Sequence, residues 1–147
     1  MSELNTSNLS NTNPLPKGSE TIVFVEDEDM IRKLSHRVLH SLGYEVITAT
    51  DGAIALELVK EFPERIDLIL SDVVMPNVRG PEFVSRARKI RDDFKVLYTT
   101  GHSIDAALGD AFQETPDERH AELLQKPYTP QQLASRVRKV LDEECVA

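Results

Sequence analysis

The chain alternates between two kinds of segment. Five short runs rich in β-branched and aliphatic residues, at 21–25, 45–48, 67–70, 95–98 and 121–124, are separated by stretches whose apolar residues recur every three or four positions. Such a chain has few ways to fold, because strands joined through helices run parallel and each helix needs a sheet face to cover. The runs at 21–25, 67–70 and 95–98 are almost continuously apolar, as strands covered on both faces are, whereas antiparallel hairpins alternate more cleanly. Helical spacing predicts apolar stripes of Ile31, Leu34, Val38 and Leu42, then Ile54, Leu58 and Phe62, then Phe83, Ala87 and Ile90, and finally Leu133, Val137, Val140 and Leu141. Gly43 and Pro63 punctuate helix ends, while Asp51-Gly52 and residues 77–80 mark loops. Gly109 and a polar run interrupt residues 103–120, which predicts a short helix and a mobile loop there. The expected fold is an α/β three-layer sandwich of (βα)5 type, its five-stranded parallel sheet linked by right-handed crossovers.

A length of 147 residues accommodates one such core and not two. Residues 1–18, mostly Asn, Ser, Thr, Pro and Gly, hold too few apolar groups to offset ordering entropy and read as a disordered arm or linker. No cationic start leads into an apolar run, and no stretch approaches the roughly 20 apolar residues of a spanning helix, so no membrane contact is expected. The net charge of −8 disfavours nucleic acid as a partner. The lone cysteine, Cys145, cannot form an internal disulfide, which fits a cytoplasmic protein.

In an open parallel sheet, the loops at the carboxyl ends of the strands meet in a crevice where ligands bind. Here the first strand runs into Glu26-Asp27-Glu28-Asp29, the third ends at Asp72, the fourth at Thr99-Thr100-Gly101 and the fifth at Lys126-Pro127. Glu28 and Asp29 read as an acidic helix start. Glu26, Asp27 and Asp72, drawn to one crevice, would repel and raise one another's pKa unless a cation offset them. An all-oxygen ligand set without Cys or His selects a hard cation, and Mg²⁺ is the natural choice. Asp72 leaves a rigid apolar strand beside a restricted loop and is placed to act as a nucleophile. A carboxylate attacking phosphorus needs charge offset by a metal, an ammonium and a hydroxyl, and Lys126 and Thr100 are of the required types. Elsewhere, His36 and His40 read as solvated histidines, Met30 and Met75 as packing residues, and Arg86, Arg88, Lys89 and Arg91 as a solvated basic face.

With these residues in place, the sequence resembles the receiver domains of two-component response regulators over roughly residues 19–143, leaving 144–147 as a tail. The resemblance implies a flavodoxin-like sheet of order 2-1-3-4-5, for which a chemotaxis receiver is a standard example. It implies Asp72 as phosphoacceptor, Glu26 and Asp27 as the acidic pair, Thr100 as switch hydroxyl, Lys126 as phosphate-pairing lysine and the Val74 carbonyl as a further Mg²⁺ ligand. Lys126-Pro127 resembles the family's cis peptide, a form to which an X-Pro bond is least averse and one that would aim the lysine. The implied reaction moves a phosphoryl group from a phosphohistidine on a kinase or histidine phosphotransfer protein to Asp72, and the adduct shifts the protein between two states. The wording of Leu123-Leu-Gln-Lys-Pro-Tyr128 is similar to receivers attached to hybrid sensor histidine kinases, and a single-domain regulator fits the same residues. The isolated chain would then be no enzyme beyond assisting its own phosphotransfer and dephosphorylation, although a longer parent would include a kinase.

Several positions depart from the commonest pattern of the resembled family. Glu26 stands where Asp is commoner, a longer reach compatible with metal contact through water, and Leu123 stands where many receivers carry a switch Tyr or Phe. Val74 and His102, two residues after Asp72 and Thr100, flank the route of water to the phosphoryl group and are expected to set its lifetime. Three other readings compete with a working receiver. An aspartyl-nucleophile phosphatase wants a second Asp where Val74 stands. A flavin- or dinucleotide-binding module wants a phosphate-cradling glycine loop, and no G-x-G-x-x-G occurs. A pseudo-receiver interaction module would not need the complete set of acidic, Asp, Thr and Lys positions.

Overall fold

The computed structural model describes residues 15–75, 78–101 and 122–143. Its elements are β1 (Thr21–Val25), α1 (Asp29–Ser41), β2 (Glu45–Ala49), α2 (Gly52–Glu61), β3 (Leu68–Asp72), α3 (Gly80–Arg88), β4 (Lys95–Thr100), β5 (Glu122–Gln125) and α4 (Pro130–Asp142). The helix and loop expected over 103–120, His102, the first fourteen residues of the arm and the tail with Cys145 lie outside the described residues.

All five strands are parallel and stand in the order β2-β1-β3-β4-β5, as expected. The three apolar runs form the covered interior, and the edges fall to β2 and β5, which are partly exposed. Alternation sends Ile22, Phe24, Leu68, Leu70 and Leu97 toward α1 and α4. Val23, Val25, Ile69, Val96 and Tyr98 point the opposite way, toward α2 and α3. Two apolar layers thus clamp the sheet.

The expected stripes meet the core, but α1 and α2 are turned a little from them. Val38, Leu42, Leu58 and Phe62 pack as expected, while Ser35 and Leu39 of α1 and Gly52, Ala55 and Val59 of α2 take the buried places, leaving Leu34 52% and Ile54 47% exposed. Small residues let α2 lie close to the sheet, so the apolar period was legible but not its phase. α3 ends at Arg88, which leaves Ile90 beyond it and exposed, whereas α4 buries Leu133, Val137 and Val140 as its pattern requires. Met30 is largely exposed and does not pack, unlike Met75. Arg91 does not join a solvated face. It folds back to donate to the carbonyls of Val59 and Phe62, closing the end of α2.

Local signals fix the helix ends. The Asp51 side chain caps α2 through the Ile54 N–H (2.9 Å), and Thr129 with Gln132 forms a reciprocal capping box on α4. Gly52 and Gly80, expected in loops, are the first residues of α2 and α3, and Asn77 lies outside the described residues. Gly43 turns the chain out of α1 at φ 108°, a conformation open to glycine, where a Cβ would lie 2.3 Å from the Gly18 carbonyl oxygen.

Candidate functional site

The carboxyl ends of β1, β3 and β5 deliver Glu26, Asp72 and Lys126 to one point. Lys126 Nζ donates to Asp72 Oδ2 (2.8 Å) and to Glu26 Oε1 (3.1 Å). The second oxygen of Glu26 accepts from the Glu28 N–H (3.1 Å), and Asp72 Oδ1 accepts from the Val74 N–H (3.3 Å). Asp27, exposed, joins them: one carboxylate oxygen from each of Glu26, Asp27 and Asp72 lies within 4.8 Å of the others. A cleft of about 430 Å³ opens over the group, and Asp27, Asp72, Val74, Gly101 and Lys126 line it.

The backbone holds each member in place. Glu26 N–H extends the β1–β2 ladder to Ala49 (3.0 Å), and its carbonyl accepts from Arg32 of α1 (3.0 Å). Lys126 N–H bonds the Thr100 carbonyl (2.7 Å), and the Lys126-Pro127 peptide is cis. Asp72 pairs with Thr99 across the sheet, and the next residue binds Thr99 and Gly80 through its own backbone (both 2.8 Å). A Cβ on Gly80 would sit 2.3 Å from the Asp72 carbonyl oxygen, so the start of α3 rests directly on the backbone of Asp72. Asp29 pairs with Arg32 (2.5 Å) in the first turn of α1, as an acidic helix start should, whereas Glu28 takes the N-cap position without a side-chain cap and lines the cleft.

Burial dominates the electrostatics. Glu26 has no exposed surface, and desolvation pushes its carboxyl up to about 7, against the opposing hydrogen bond from Glu28 and the charge of Lys126. Desolvation also raises Asp72, partly offset by Lys126. Burial disfavours the Lys126 ammonium, yet Asp72 and then Glu26 more than offset it, and its pKa lies above the ordinary lysine value. The lysine stays charged while its carboxylate partners resist ionising together. A group of hard oxygen donors that burial leaves short of positive charge suits a divalent cation.

The expected residues do not all face the cleft. Thr100 is fully buried at the end of β4, and neither it nor Glu26 is among the described residues lining the cleft. Val74 lines it, 48% exposed. Leu123, expected where the resembled receivers carry a switch aromatic, packs partly buried against the α2 and α3 layer. His36 and His40 remain at the surface and stack on each other at 5.7 Å. They lie in a separate groove of about 670 Å³ with Arg32, Lys33 and Arg37. Sequence reasoning missed three supporting groups: Gly80 under Asp72, Arg32 on the Glu26 carbonyl, and Tyr128, whose hydroxyl meets Ser35 at 2.7 Å. A serine between Ile31 and Leu39 in an apolar row was the available signal for the last.

The family model for the response regulator receiver domain matches residues 22–138. The chain belongs to that family. Among curated relatives, this receiver is 36% identical over 127 residues to the sensor kinase CckA of Brucella abortus, covering 86% of this chain and 13% of the kinase. It is 33% identical over 120 residues to the response regulator receiver protein CpdR of the same organism, covering 82% of this chain and 95% of that protein. Among solved structures, the receiver domain of the hybrid histidine kinase CckA superposes with a TM-score of 0.68 at 34% identity, covering 83% of this chain and 99% of that one. A CheY-like receiver from Methanospirillum hungatei gives 0.71 at 25% identity over 85% and 95%. The similarity to hybrid-kinase receivers read from the sequence is therefore found. Among the described residues, no helix is long and apolar enough to cross a membrane.

Proposed function

We propose that this receiver accepts a phosphoryl group on Asp72 from the phosphohistidine of a partner histidine kinase or histidine phosphotransfer protein. The observation that carries this assignment is the placement of Asp72 at the floor of the cleft, bonded to Lys126 and within ligand distance of Glu26 and Asp27. An Asp72 carboxylate oxygen bonds to phosphorus as the histidine N–P bond breaks, and the imidazole leaves with the electron pair of that bond. In dephosphorylation, water adds at phosphorus and the Asp72 oxygen leaves.

Glu26, Asp27, Asp72 and the Val74 carbonyl would hold Mg²⁺, which supplies charge neutralisation to the phosphoryl oxygens. Lys126 pairs with the phosphoryl oxygens once Asp72 is esterified and its charge has moved outward. Thr100, one residue beyond the Asp72–Thr99 pair, supplies the switch hydroxyl, and its full burial means that β4 or its following loop shifts to bring it forward. With Leu123 in place of an aromatic, the switch runs through that shift and not through a rotating ring. The functional unit spans residues 19–143 after an arm or linker, and the chain works in the cytoplasm with its histidine-phosphorylated partner. Phosphotransfer to Asp72 and its own hydrolytic dephosphorylation are the only chemistry assigned to the isolated chain.

The test is intact mass after incubation with acetyl phosphate, with and without Mg²⁺, for the parent and Asp72→Ala. A Mg²⁺-dependent phosphoryl adduct lost in Asp72→Ala is the expected result, and no adduct from acetyl phosphate or a phosphohistidine donor removes the assignment. Val74 governs water at the cleft, so Val74→Asn, which adds a polar side chain there, shortens the adduct lifetime by about threefold or more. A lifetime equal to the parent's in a phosphate-release assay would refute that role.

A further inference from the structure

The lysine of the site is gripped from behind. Ser35 lies in the buried row of α1, only 4% exposed, where a hydroxyl is unfavourable unless bonded. Its partner is the Tyr128 hydroxyl at 2.7 Å. Tyr128 stands two residues after Lys126, in the short turn between β5 and the capping box of α4, and its ring packs against the α1 and α4 layer. On the strand side, Lys126 is tied by its N–H to the Thr100 carbonyl. On the helix side, the Ser35–Tyr128 bond is what fastens the turn to α1. One turn earlier in the same helix, Arg32 holds the Glu26 carbonyl. α1 therefore grips both loops whose side chains meet at Asp72.

We propose that the Ser35–Tyr128 hydrogen bond positions Lys126 for phosphoryl uptake by Asp72, making both residues positioning residues for the reaction. The proposal rests on the phosphoacceptor reading above. Lys126 reaches two oxygens at 2.8 and 3.1 Å from the end of a flexible four-carbon stem, so its aim depends on where the turn holds its backbone. Tyr128→Phe and Ser35→Ala each leave one hydroxyl buried without a partner and release the turn, whereas the Glu26 and Asp72 carboxylates keep the Glu28 and Val74 N–H groups that support them.

The experiment compares initial rates of phosphoryl incorporation from acetyl phosphate at saturating Mg²⁺ for the parent, Tyr128→Phe, Ser35→Ala and the double variant. The same set is repeated in a Lys126→Ala background, with Mg²⁺ affinity from calorimetry and thermal midpoints alongside. Each single variant is expected to lose about threefold to tenfold in rate with Mg²⁺ affinity unchanged, and the loss is expected to vanish without Lys126. The double variant, which matches two apolar ends, is expected to recover thermal stability but not rate. Parent-like rates in both single variants, a loss undiminished in the Lys126→Ala background, or rate recovery in the double variant overturns the proposal. Failure of the parent itself to take a phosphoryl group would instead overturn the phosphoacceptor reading, and the Asp72→Ala control tells the two apart.

Discussion

At the amino-terminal edge of the sheet, charges come matched. Glu20 pairs with Arg138 (2.6 Å), which also pairs with Asp142 (2.7 Å), and Asp67 takes Arg65 (3.0 Å) and the Thr21 N–H (2.9 Å). At the carboxyl-terminal edge, three carboxylates gather around one ammonium, and two of them are buried. The pKa directions differ accordingly. The Arg138 guanidinium holds Glu20 below the usual carboxylate range, while burial lifts Glu26 to about 7 and raises Asp72. One edge stabilises the fold by satisfying its charges. The other keeps an electrostatic deficit that a cation and a phosphoryl group can use.

Removing the ammonium that bonds both buried carboxylates of the deficient edge should have the largest effect. Lys126→Ala strands Glu26 and Asp72, and the expected cost is about 3 kcal/mol at pH 8, as for other broken buried pairs. Lowering the pH lets the carboxyls protonate and should shrink that cost, which denaturant unfolding at two pH values will show. A cost independent of pH would mean that packing of the lysine stem, and not charge, is what the variant loses.

The pH response of the parent separates the edges next. A carboxyl whose folded pKa is raised binds its proton more tightly in the folded state, so stability falls as pH climbs from the ordinary carboxylate value through the folded one. For Glu26 that window runs from the ordinary carboxyl value of 4.5 to about 7 and corresponds to about 3 kcal/mol of lost stability without metal. Glu26→Gln should flatten it, and Mg²⁺ should oppose it by binding more tightly over the same rise. Glu20 has the opposite sign: its folded pKa is lowered, so its contribution is present above the ordinary carboxylate value and is lost as pH falls through the depressed one.

Smaller effects sharpen the contrast. Arg138→Ala should cost about 1 kcal/mol, given partly exposed partners, and should leave phosphoryl uptake unchanged in the intact-mass assay. Thr99→Val should raise stability by about 1 kcal/mol. Among the described residues, the Thr99 hydroxyl is the one buried side-chain polar group lacking a hydrogen-bond partner, and valine keeps its shape. A destabilised Thr99→Val in thermal unfolding would show that the hydroxyl has a partner after all.

Much of this architecture was legible in the residue order because strands declare themselves by composition. The unbroken apolar runs around Phe24, Leu70 and Leu97 located the covered strands, and the residues following the first, third and fifth runs drew attention to Glu26, Asp72 and Lys126. Helix phase was not legible, because period alone cannot tell which side of a helix meets the sheet. Ser35 and Ala55, polar or small, took places that Leu34 and Ile54 seemed to claim. Arg91 looked solvated because three carbonyl partners at and just beyond the end of α2, those of Val59, Phe62 and Glu64, cannot be read from a run of basic residues. The supports of the site were hidden for the same reason: Gly80 and Tyr128 act through contacts set by tertiary structure.

One guanidinium closes the far end of the molecule. Arg138 bonds the Lys17 carbonyl (3.1 Å) as well as Asp142, which joins the segment entering β1 to the last turn of α4. Entry and exit thus share a corner on the side of the sheet opposite Asp72. A tether attached at either end would leave from that corner, and the acceptor would face away from it like the bowl of a spoon held by its handle. A tether leaving from that corner would leave the cleft at Asp72 unobstructed on the opposite edge of the sheet.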